Sequence, residues 1–171
     1  MNQKIILHII SGDLWAGAEV QVYQTLRELK KNPIMVPVCI LFNNGMLAVK
    51  LREQGIKTLI FNENKHGILK ILMQLVKICG SLKADIIHVH HIKEHFLGIF
   101  AALSTNHKVP LIRTIHGKSQ VPDHVIGFQR IRSSIVVFLD KILIQFFSTR
   151  IIVVSKEIEE EFKKKIDRKK V

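Results

Sequence analysis

Six short apolar runs rich in β-branched residues recur along the chain, at Lys4–Ile10, Ile34–Phe42, Thr58–Phe61, Asp85–Val89, Leu111–Ile115 and Arg150–Val154. Runs of this length that stay apolar without alternating are what strands buried on both faces require. Helical patterns lie between them. The first puts Ala18, Val22, Leu26 and Leu29 on one stripe and Arg27, Lys30 and Lys31 off it, as in an amphipathic crossover helix. A second runs from Gly45 to Gln54 and stops at Gly55, and a third, Ile68–Leu82, repeats Leu72, Leu75, Val76 and Cys79 at helical spacing. Strand and helix in alternation imply right-handed βαβ units. The expected fold is α/β, a doubly wound, Rossmann-like parallel sheet in three α/β/α layers with strand order 3-2-1-4-5-6.

In that order, the loops after the first and fourth strands flank the point where the sheet reverses direction, and the fifth strand opens beside them. Three segments far apart in sequence should therefore meet at one crevice: Gly12–Glu19, His88–His91 and Thr114–Gly117. In the first, Gly12 and Gly17 let backbone approach a ligand, and the helix that follows offers free N–H groups to a phosphate or sugar. Without a ligand they are simply a tight strand-to-helix turn. The G-x-G-x-x-G spacing is missing, and the second strand ends in Phe42-Asn43-Asn44 with no acidic residue. Dinucleotide binding is thus excluded. Gly117-Lys118-Ser119 imitates the end of a phosphate-binding loop, but Ile112 stands where its first glycine belongs.

His116 lies at the mouth of the fifth strand, where Gly117 would let the chain turn away and leave the imidazole facing the crevice. It is the leading functional candidate; a structural histidine bonded to a carbonyl is the alternative. His88, His90, His91 and His95 could together suggest zinc. No Asp or Cys at matching spacing completes a ligand set, so no metal is expected, and His90 or His91 is read instead as a hydrogen-bond partner for a substrate hydroxyl. Glu19 could serve either a ligand or the helix dipole.

The 171 residues suit one domain. Cys39 and Cys79 fall within a strand and a helix, as buried hydrophobes do, which fits a reducing cytoplasm. Met1–Lys4 lead directly into Ile5–Ile10 with no cleavage site behind, so no signal peptide is expected. Val125–Phe147 is interrupted by Arg130, Arg132, Asp140 and Lys141, too often for a membrane span. A net charge of +12 favours polyanionic neighbours. The cations are scattered and Trp15 and Tyr23 form no stacking platform, so nucleic acid is not among the expected partners. The amphipathic Val125–Phe147 instead suggests peripheral contact with an anionic inner leaflet, against the plainer reading of a helix that faces the core.

The series Lys4–Ile10 with Ala16-Gly17-Ala18-Glu19, Asp85-Ile86-Ile87-His88-Val89-His90-His91, Thr114-Ile115-His116-Gly117 and Ile151-Ile152-Val153-Val154-Ser155 resembles the N-terminal domain of GT-B glycosyltransferases of the family 4 kind. Where that family usually has Gly-Gly, this chain has Ala16-Gly17. The resemblance implies one half of a GT-B fold covering residues 1–171, transferring a hexosyl group from a nucleoside diphosphate sugar to a glycan or lipid-linked acceptor, with retention and without a metal or other cofactor. Ala16, Gly17, Glu19 and His116 would border the acceptor and the transferred sugar, and His116 would hydrogen-bond that sugar. The family's second domain, with its nucleotide site and Glu-x7-Glu pair, is absent from this chain, since Val171 falls where the strand leading into it would begin. The isolated chain is then expected to be nearly inactive. Two other classes stay open: a sugar- or nucleotide-binding module without turnover, and a hydrolase using a histidine-bound metal.

Overall fold

In the computed structural model, which describes residues 3–105, 108–117, 127–163 and 170, strands and helices alternate as β1 (Lys4–Ile10), α1 (Gly17–Lys31), β2 (Met35–Leu41), α2 (Met46–Glu53), β3 (Lys57–Ile60), α3 (Ile68–Leu82), β4 (Ile86–Val89), α4 (Ile92–Leu103), β5 (Leu111–Ile115), α5 (Gly127–Phe147), β6 (Arg150–Val153) and α6 (Lys156–Lys163). The six strands form one sheet in the order β3-β2-β1-β4-β5-β6, and every pairing is parallel. This is the expected doubly wound topology, with the reversal between β1 and β4.

Each face of the sheet buries its own core. Leu7, Ile9, Ile87 and Val89 pack with Ile71, Leu75 and Cys79 of α3 and with Leu97 and Ala101 of α4. Ile10, Cys39 and Leu41 pack on the other face with Val22 and Leu26 of α1 and Leu47 and Leu51 of α2. Both cysteines are free and buried, and burial pushes both thiols up, Cys79 to about 12. A third cluster joins Ile115, Ile144, Ile151, Ile158 and Phe162.

Gly12 and Gly45 explain the first turn. Gly12 has φ of 74°, in the left-handed region, and a Cβ there would lie 3.2 Å from Leu41 Cδ2; one on Gly45 would lie 2.3 Å from the Gly12 carbonyl oxygen. The loops after β1 and β2 therefore touch backbone to backbone. Asn43 seals them by donating its amide to Asp13 and, at 2.7 Å, to Glu63.

Helix α4 has no clear counterpart in the sequence pattern, because Ile92–Leu103 is apolar nearly all round. Gly98 inside it lets β4 approach so closely that a Cβ would meet Val89 Cγ1 at 2.8 Å. Helix α5 also differs from a core-facing helix. Only Asp140 and Ile144 are buried along it, while Phe128 and Phe138 are 81% and 63% exposed. No helix among the described residues is long and apolar enough to cross a membrane. Helix α6 begins after Ser155, whose Oγ accepts from the Ile158 N–H at 3.4 Å. Lys118 and Ser119 of the phosphate-loop imitation lie outside the described residues.

Candidate functional site

A crevice of about 500 Å³ opens at the carboxyl ends of β1, β4 and β5, bordered by Ser11, His90, His91, Glu94, Arg113 and His116 among others. Its position is the topological switch point where open α/β sheets bind ligands.

The parallel register sets His8 directly opposite His88, and the twofold repeat of a strand returns His90 to the same face. The rings of His88 and His90 stack with centroids 4.5 Å apart, and His8 lies 4.5 Å from His88. His8 Nδ1 is 3.2 Å from His90 Nε2, His90 Nδ1 is 3.1 Å from His116 Nε2, and His88 Nε2 is 2.7 Å from Thr114 Oγ1. Burial, reinforced by neighbouring histidines, holds His8 and His90 well below the ordinary imidazole value. Burial likewise pushes His88 and His116 down to about 4. The group is a neutral one near pH 7.

The other wall is built on α4. The Ser11 hydroxyl donates to Glu94 Oε1 across the crevice floor. Arg113 reaches from β5 to donate Nη1 to the His91 carbonyl at 2.9 Å and to pair Nη2 with Asp140 Oδ2 at 3.1 Å. Asp140 also accepts from His95 Nδ1 at 2.7 Å, and His95 Nε2 accepts from the Ser148 hydroxyl at 3.1 Å. Serine, histidine and aspartate in that order repeat the wiring of a hydrolase triad. Here all three are at most 1% exposed, so they act as a clamp that binds α4 and α5 to β5. Two polar atoms on the crevice residues have no partner among the described residues, the acceptor Glu94 Oε2 and the donor Arg113 Nε.

Of the residues singled out in the sequence, His90, His91, His116 and Gly117 border this crevice. Gly12, Ala16, Gly17 and Glu19 do not; the first loop reaches it through Ser11. Gly12 is required by the turn itself, as described above. At Gly17 a Cβ would find nothing within 4 Å, so the fold alone does not call for glycine. The same holds at Gly117, where φ is not left-handed. Glu19 is buried in the first turn of α1. His90 spends both ring nitrogens on His8 and His116, leaving none for a substrate hydroxyl.

The histidines that could hold a metal are His8, His88 and His90, whose ligand atoms lie within 4.8 Å of one another. His91 and His95, grouped with the cluster by sequence, stand elsewhere. The trio consists of neutral donors already engaged in hydrogen bonds, and among the described residues no carboxylate or thiolate joins it to offset a buried dication.

Residues 15–171 match the family profile of Glycosyltransferase Family 4. No curated protein matches the chain. Among solved structures, it is similar to Anabaena HepE in complex with UDP and glucose (16% identity, TM-score 0.74, covering 96% of this chain and 42% of that one). It is also similar to a glycosyltransferase of Rickettsia africae (20%, TM-score 0.73, covering 99% and 42%) and to the lipopolysaccharide outer core galactosyltransferase WaaB (15%, TM-score 0.71, covering 98% and 44%). At these identities the likeness is one of fold. The chain spans 42–44% of the length of those structures.

Proposed function

The chain belongs to Glycosyltransferase Family 4, and from that premise we propose that it is the N-terminal, acceptor-side half of a GT-B enzyme that transfers a hexosyl group from a nucleoside diphosphate sugar. One observation carries the acceptor-side assignment. Among the described residues, two that border the crevice carry an unpaired acceptor, Glu94 Oε2, and an unpaired donor, Arg113 Nε. Both are closed to solvent in the free chain, so a sugar hydroxyl, which donates and accepts at once, would answer both once these side chains turn towards the crevice. Leaving such atoms unpaired costs about 1–3 kcal/mol each, so a polyhydroxyl ligand that satisfies them gains that much in the bound state.

His116 would hydrogen-bond the transferred sugar from the crevice rim, in a reaction that retains configuration and needs no metal, as the family resemblance implies. The nucleotide and the leaving diphosphate would fall to a second domain outside this chain. HepE, solved with UDP and glucose, supports a nucleotide sugar as donor. The acceptor would be a glycan or a lipid-linked sugar at the cytoplasmic face of the membrane. Support for the lipid surface comes from α5, whose exposed Phe128 and Phe138 stand beside the exposed Arg130 and Arg132.

Saturation-transfer NMR of the purified chain with a panel of methyl hexosides tests the reading. Binding by the native chain, lost in Glu94→Ala, is expected, together with transfer from UDP-hexoses far below 1 per second, the lower end of ordinary enzyme turnover. Turnover by the isolated chain at an enzyme's usual rate, or hexoside binding indifferent to Glu94, overturns it.

A further inference from the structure

His8, His90 and His116 form a line of two hydrogen bonds in series, 3.2 Å and 3.1 Å long. Each ring is neutral near pH 7 and therefore carries one proton, on one nitrogen only. His90 must then accept at one nitrogen and donate at the other, so both bonds run in the same sense. Only two arrangements exist. In the first, His116 donates inward, His90 passes the sense on, and His8 is left with a proton on Nε2. In the second, His8 Nδ1–H donates to His90 Nε2, His90 Nδ1–H donates to His116 Nε2, and His8 Nε2 keeps a lone pair.

His8 Nε2 decides between them. It is buried, on a residue with 0% exposure, and has no partner among the described residues. An orphaned N–H is the rarer defect in protein interiors; an under-satisfied acceptor is met more often. The second arrangement is therefore favoured, and it ends at the crevice with the proton of His116 on Nδ1.

We propose that His90 is a positioning residue that fixes the proton of the outermost ring in this line, so that His116 meets its ligand as a neutral hydrogen-bond donor through Nδ1–H. The ligand atom it suits is an oxygen acceptor, as on a sugar hydroxyl. Among the described residues, the charged and titratable groups around His116 are His88 from β4 and His90 just past it, His91 at the start of α4, Arg113 from β5, and Glu94 and Lys93 on the crevice wall. Arg113 and His91 both oppose a positive charge on the ring, which keeps it in the donor-and-acceptor form the line requires. The inference does not depend on which sugar is transferred, or on whether transfer occurs at all.

Long-range proton–nitrogen correlation of the ¹⁵N-labelled chain at pH 7 reads the tautomers directly, with signals assigned by single His→Gln variants. The expected pattern is a pyrrole-type Nδ1 and a pyridine-type Nε2 for His8, His90 and His116. The opposite pattern or an imidazolium at His116 overturns the proposal. In His90→Phe, which takes away the donor to His116 Nε2, His116 should move towards the Nε2–H form, whereas His66→Gln, outside the line, should leave it unchanged. If His90→Phe does not fold, His90→Asn, whose Nδ2–H₂ stands where Nδ1–H did, should hold His116 in the Nδ1–H form, and an Nε2–H form there overturns the positioning role, as does a His116 pattern indifferent to His90→Phe. A spectrum altered by EDTA and restored by Zn²⁺ overturns it in favour of a metal ion on His8, His88 and His90.

Discussion

At the scale of single residues, the glycines separate what the turn needs from what a ligand would need. Gly12→Ala must place a side chain at φ of 74° against Leu41, and a loss of about 1–2 kcal/mol is expected by chemical denaturation. Gly17→Ala, with open space around its Cβ, should change stability by no more than about 0.5 kcal/mol. Any loss of ligand binding in that variant would then be a local effect. The histidines set a pH dependence of definite sign. Their folded-state values are depressed below the ordinary 6.5, so the unfolded chain binds more protons between about 4 and 6.5 and stability falls as pH drops through that window. His88 alone accounts for a loss on the order of 3 kcal/mol at pH 4; thermal melts at pH 7.5 and 4.5 should show a markedly lower Tm at the lower pH, and equal melting would refute the buried neutral state. His116 at its strand mouth was legible in the sequence because it stands just past a recognisable β-run. His8 was not, since an isolated histidine in a buried strand gains meaning only from its register partner, His88.

At the scale of elements, the strand bounds followed closely from composition, and β1, β5 and α3 begin and end where the sequence pattern puts them. Helix α4 was illegible because an all-round apolar segment broken by Gly98 shows no stripe. Its anchoring was illegible too: Arg113, Asp140 and His95 come from three elements and Ser148 from the link after α5, and they converge only when α4 and α5 dock on one face. Asp140→Asn takes from the buried Arg113 its ion-pair partner and leaves only the weaker influence of Glu94, and a destabilisation of about 3 kcal/mol is expected in urea titration; a change below about 1 kcal/mol would show that the clamp contributes little. Gly98→Ala should weaken the same docking by about 1–3 kcal/mol through the clash with Val89.

At the scale of the whole molecule, a basic chain carrying an apolar row along α5 should distinguish between lipid surfaces. Sedimentation with phosphatidylglycerol vesicles, but not with phosphatidylcholine alone, is expected, and Phe128→Ser with Phe138→Ser should reduce the bound fraction several-fold. Equal sedimentation with both lipids would remove the membrane reading. The sequence foretold the amphipathic character of this segment but not that its apolar side would face outwards, because periodicity says that a helix has two faces and not which of them the fold leaves open. The sheet order carries one more consequence. β1 pairs with β4 only after three helices and two strands have intervened, so His8 cannot meet His88 until the widest gap between neighbouring strands has closed. Pairings of such sequence separation form slowly because loop closure precedes their reward. An assembly of β1, β2 and β3 can thus bury the core beneath α1 and α2 while possessing no crevice at all, and the histidine line marks the moment at which the two halves of the sheet become one.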